Sequence, residues 1–193
     1  IATLQDWVTT RFSAIPNTGM TVLRPSEPLF KPGQLPARIN IVPKRDSRNL
    51  TLSFPIPPAR EHYLAKPLRY VGELLGHEGK GSLLSLLKSR GWADSLSAGL
   101  GLNHNTEALF SVSIALTQSG LTHVDAIAAL TFEQIRSIRA KGIREWAFEE
   151  QSQLSALSFR FKQRTDPSDY VTSLAARLQL YPENHVLYGP YAL

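Results

Sequence analysis

Two stretches in which apolar and polar residues alternate limit the fold most. In "NLTLSFPIP" the apolar positions are Leu50, Leu52, Phe54 and Ile56. In "EALFSVSIALT" they are Phe110, Val112, Ile114 and Leu116, with Leu109 out of step. A period of two sends alternate side chains to opposite faces, so each stretch reads as a β-strand with one buried face. "ARINIVP" sets Ile39 and Ile41 against Arg38 and Asn40, and the polar "PKRDSRN" that follows reads as a turn. An antiparallel hairpin with the first stretch is therefore predicted. "WADSLSAGLGLNH" is expected to pair in the same way with the second stretch. Hairpins without crossover helices imply an α+β fold. Its sheet would be mainly antiparallel, with helices packed on one face, and not doubly wound.

Helical spacing accounts for most of the rest. Leu4, Trp7, Val8, Phe12 and Ile15 share one stripe of a helix over residues 2–15, ended by Pro16 and Asn17. Residues 16–36, rich in Pro and Gly, read as a connector. Pro67 suits the first turn of a helix carrying Leu68, Val71, Leu74 and Leu75. Ser82 is placed to cap a short second helix through Lys88, which Gly91 stops. A longer helix from Ser119 through Lys141 aligns Val124, Ile127, Ala128, Ile135 and Ile138. After Gly142, "IREWAFEEQSQLSALSFRFK" continues as helix, and a last helix follows Asp166-Pro167 with Asp166 or Ser168 as its cap.

The 193 residues, 42% hydrophobic and 19% charged, suit one domain over residues 1–193 with a buried core. The net charge of +5 is spread between Lys44, Arg45 and Arg48 and a second group, Arg136, Arg139, Lys141 and Arg144. No aromatic residues interleave with these charges, so they read as solvated faces and no nucleic-acid partner is expected. No apolar run approaches the roughly 20 residues that cross a bilayer, and no membrane partner is expected. The chain lacks cysteine, which rules out disulfides, thiolate metal ligands and thiol catalysis within it. That leaves bacterial cytoplasm and periplasm equally open. A first residue of Ile, with no leader pattern after it, suggests a processed product or an excised fragment.

The segment "GHEGKGS" carries the most chemistry by appearance. His77-Glu78 looks like half of a zinc-protease helix, but such helices need two His one turn apart. None of His62, His77, His104, His123 and His185 has a partner at that spacing. Gly76, Gly79, Lys80 and Gly81 follow a predicted helix and lack the Ser or Thr directly after the Lys that a phosphate loop requires. The physical reading is a tight interhelical turn, since glycine permits φ > 0. "GKGSLL" is not a nucleophile elbow. No catalytic residue and no metal ligand is expected, and no cofactor.

These segments together resemble one known group. "RNLTLSFPIP", "KPLRYVGELLGHEGKGSLLSLLKSRGWADSLSAG", "ALFSVSIALTQSGLTHVDAI", "GIREWAFEEQSQLSALSFRFK" and "LYPENHVL" are similar, in order, to the second, non-catalytic domain of the insulinase/pitrilysin family of zinc metallopeptidases. The resemblance runs from about Asp46 to the end, and the first helix and connector suit what precedes it. It implies the LuxS/MPP-like metallopeptidase fold and a parent chain of several related domains closing around a chamber. Zinc would sit in the parent's first domain, and this chain would form part of the chamber wall. It also implies a substrate exosite at Gly76, Glu78, Leu96, Ser97 and Ala98. There Glu78 would meet a peptide's α-amine and the strand would supply backbone hydrogen bonds. Partners would be the peptide substrate and the other domains of the parent. Two departures stand out: Ala98-Gly99-Leu100 replaces the family's frequent Gly-Gly-Gln, and Glu73 replaces a frequent His. The composition does not separate a general oligopeptidase from the pyrroloquinoline quinone biosynthesis protease as the parent. The alternative is a purely structural homologue, like the core subunits of respiratory complexes or the partner subunit of a processing peptidase.

Overall fold

The alternating stretches form the sheet in the computed structural model, which describes residues 1–21, 27–103 and 106–193. Strand β1 is Asn49–Ile56, β2 is Ala93–Asn103 and β3 is Ala108–Leu116, and their order is β1-β3-β2 with both pairings antiparallel. The predicted β2–β3 pairing is present, with Leu96 opposite Ile114 and Ala98 opposite Val112. His104, at the end of the predicted strand, and residues 22–26 of the connector lie outside the described residues.

The predicted hairpin between 37–43 and β1 does not form. Residues 37–43 are not a strand, and Ile39, Ile41 and Val42 are 80%, 81% and 94% exposed. β1 pairs with β3 instead, setting Leu50, Leu52 and Phe54 against Ile114, Val112 and Phe110. The physical reason is face matching: β3 carries a full apolar row with the same phase as β1, whereas Val42-Pro43 breaks the alternation after Ile41.

Seven α-helices accompany the sheet among the described residues: α1 (Ala2–Phe12), α2 (Pro67–Gly76), α3 (Leu83–Ser89), α4 (Gln118–Leu121), α5 (Val124–Lys141), α6 (Glu145–Arg160) and α7 (Pro167–Leu178). The core lies between one sheet face and α2, α3 and α5. Leu96, Phe110, Val112, Ile114 and Leu116 meet Leu75, Leu84, Leu87 and Ile127, all buried. The other sheet face is polar, with hydroxyl pairs at Thr51–Ser113 (3.4 Å) and Ser53–Ser111 (3.1 Å).

The predicted caps are in place. Ser82 Oγ accepts from the Ser85 N–H at 3.1 Å, and Asp166 Oδ1 from the Ser168 N–H at 2.8 Å. Gly91 ends the α3 turn with φ +68°. The long helix predicted from Ser119 is split. Thr117 Oγ1 caps the single turn α4 at 3.0 Å, and the chain then bends so that His123 stacks on Trp92 at 4.4 Å. Residues 181–193 fold back as two 3-10 turns. Phe159 of α6 packs on Tyr191, and Ser152 Oγ donates to the Leu193 carbonyl at 2.9 Å. No residue of α1 is buried; its apolar stripe, with Trp7 58% exposed, faces away from the core.

Candidate functional site

Because β3 is central, β2 is an edge strand. Its outer backbone groups have no backbone partner beyond the sheet between Asp94 and Asn103, among the described residues. Such an edge is a template for another extended chain. Helix α2 lies close beside it. A Cβ on Gly72 would stand 2.7 Å from the Ala98 carbonyl oxygen, and one on Gly76 would stand 3.8 Å from the Ala98 nitrogen. At position 72 only glycine lets the helix approach the strand this closely, whereas a Cβ at position 76 would make an ordinary contact.

A groove of about 820 Å³ runs along this junction. Gly72, Glu73 and Gly76 of α2 form one wall, and Leu96 to Leu100 of β2 form another. The far end is closed by His62, Tyr63 and Lys66 from the segment before α2 and by Tyr181, distant in sequence. Tyr63 fixes that end: its hydroxyl is hydrogen-bonded to His185 Nδ1 at 2.6 Å, and its ring meets Tyr181 edge-on at 4.9 Å. Lys66 sits just before α2 in a left-handed conformation, φ +37°. Its ammonium donates to the Pro190 carbonyl at 2.6 Å. Partial burial, and secondarily the nearby Arg69, push its pKa below the ordinary lysine value.

Four of the five residues predicted for a site, Gly76, Leu96, Ser97 and Ala98, come together along this groove. The fifth, Glu78, does not line it and stands exposed in the turn after α2. Glu73 is the one carboxylate among the described lining residues. Its place one helical turn before Gly76 was visible in the sequence as spacing. The closing residues Tyr63, Lys66 and Tyr181 gave no sequence signal, because they converge only through the folded-back tail.

His77 is engaged locally, its Nδ1 accepting the Gly79 N–H at 3.1 Å. Among the described residues no three His, Asp or Glu side chains are grouped to hold a metal ion. No helix among them is long and apolar enough to cross a membrane.

The chain is thus an α+β unit with a helix-walled groove beside an open strand edge. Residues 1–154 match the family described as Peptidase M16 inactive domain, and the chain belongs to that family. It is 40% identical to the A-factor-processing enzyme of Saccharomyces cerevisiae over 177 residues, which are 92% of this chain and 17% of that one. It is 38% identical to human insulin-degrading enzyme over 190 residues, 98% of this chain and 19% of the relative. Human nardilysin is 37% identical over 99% of the chain. A crystal structure of pitrilysin superimposes with a TM-score of 0.71 at 25% identity, covering 76% of this chain and 16% of that one. The chain thus spans under a fifth of these relatives' length, and they belong to the insulinase family of zinc metallopeptidases.

Proposed function

We propose that the chain is a non-catalytic domain of a zinc metalloendopeptidase, and that its groove holds the N-terminal residues of a peptide as an added strand on β2. The observation that supports this most is the meeting of Gly76, Leu96, Ser97 and Ala98 beside an unpaired strand edge. Edge backbone bonds a peptide without regard to its sequence, and a groove then orients it. Relatives named for degrading insulin and for processing A-factor support a peptide as the ligand. In this reading the domain forms part of the wall of a chamber completed by other domains of the parent chain. Zinc and the bond-breaking chemistry belong to those other domains. The peptide's α-amine needs a carboxylate; Glu73 in the groove and Glu78 in the following turn are the two within about one helical turn of Gly76.

The test uses the full-length parent with long and short peptides. Glu73→Gln and Glu78→Gln are compared. The variant at the amine-holding carboxylate raises KM for long peptides more than for short ones and leaves kcat on short peptides unchanged. If both variants act equally on long and short peptides, the exosite role is wrong.

A further inference from the structure

The groove leaves most of the "GHEGKGS" turn without a role. Residues on the Leu74 side of α2 instead wall a separate cleft of about 180 Å³, closed by the C-terminal end of α5 and the start of α6. Four basic residues line it: His77 and Lys80 from the turn, Lys141 from the last position of α5 and Arg144 just after it. No carboxylate lines it among the described residues. Among the described residues none of the four basic groups is in an ion pair there.

Hydrogen bonds hold several of its parts. The His77 ring folds back over Gly79, where any Cβ would collide with it, and accepts the Gly79 N–H at 3.1 Å. In the neutral ring the proton is then on Nε2, which donates. The buried Ser82 hydroxyl accepts from the Ser85 N–H, and its own hydrogen is left to donate. Arg144 is clamped through its backbone: its N–H donates to the buried Tyr70 hydroxyl at 2.8 Å, and its carbonyl accepts from it at 3.4 Å. The carbonyl end of α5 brings roughly half a unit of negative charge. That end alone accounts for one of the cations Lys80, Lys141 and Arg144 at most, and the cleft keeps an excess of positive charge.

We propose that this cleft binds a small multivalent oxyanion of the phosphate type. Lys80, Lys141 and Arg144 supply the charge, and His77 Nε2 and the Ser82 hydroxyl supply neutral donors. Its size suits one or two phosphoryl groups. This inference is independent of the peptide groove.

The probe is pyrophosphate, titrated by calorimetry into the 193-residue chain at low salt. Saturable one-site binding is expected, weakened as sodium chloride is added. The double variant K80A/K141A loses about tenfold or more in affinity. The control R136A/R139A removes the same charge from exposed positions of α5 outside the cleft, and changes affinity less than about twofold. Circular dichroism confirms that the variants fold, and Lys80→Gln on the exposed turn serves as a second, milder variant with the same direction of effect. Adenosine diphosphate in a parallel arm separates a free anion from the phosphorylated end of a larger molecule. Absence of saturable binding, or equal loss in the two double variants, overturns the proposal.

Discussion

Gly72 is where a single atom would matter most. Its missing Cβ leaves space for the Ala98 carbonyl, and a backbone oxygen in a paired strand cannot move aside as a flexible side chain would. Gly72→Ala should therefore destabilise the chain by about 1–3 kcal/mol through overpacking, read from urea midpoints. A change under about 0.5 kcal/mol would mean that α2 does not sit against β2 as described. Lys66 gives a pH-dependent expectation. Its folded pKa is depressed below 10.5, first by burial and then by Arg69. Between the folded and ordinary values the unfolded chain binds more protons, so stability attributable to this group rises as pH increases through that window. Wild type should gain on Lys66→Met as the pH is raised from neutrality toward 10.5, measured as the difference in their urea midpoints. A difference that is flat or falls would contradict this. The caps at Ser82 and Asp166 were legible because a polar residue before an apolar run has one obvious task. The role of Lys66 was not, because its carbonyl partner at Pro190 lies at the far end of the chain.

Among the elements, type was easier to read than partnership. The period-two runs gave β1 and β3, and the helical stripes gave α2, α3 and α5. Which strand β1 would pair with was a long-range question. The local answer, residues 37–43, lost because its alternation is short and ends at Val42-Pro43, while β3 supplies Phe110, Val112 and Ile114 in phase. The two pairings differ in what a substitution should do. Ile41→Ser should change stability by less than about 0.5 kcal/mol, since Ile41 is already in water. Ile114→Ala should cost about 2–5 kcal/mol, since the residue is fully buried between the helices and both outer strands. Equal, large losses at both positions in thermal or urea melts would restore the predicted hairpin.

Over the whole chain, the groove is a product of distance in sequence. Its strand and helix are joined by the turn and α3, but its closed end needs Tyr63, Lys66 and Tyr181 brought together by the returning tail. The near wall could be read from the sequence only by resemblance, because nothing local distinguishes Leu96–Ala98 from any other edge strand. The central claim is that β2 accepts a peptide as an added strand. The most direct measurement is amide hydrogen exchange on the ¹⁵N-labelled chain, with and without a saturating unstructured peptide. The outward amides of residues 96–100 should exchange about tenfold or more slowly with peptide bound, while those on the open edge of β1 stay unchanged. No slowing along β2, or equal slowing along β1, would contradict the account.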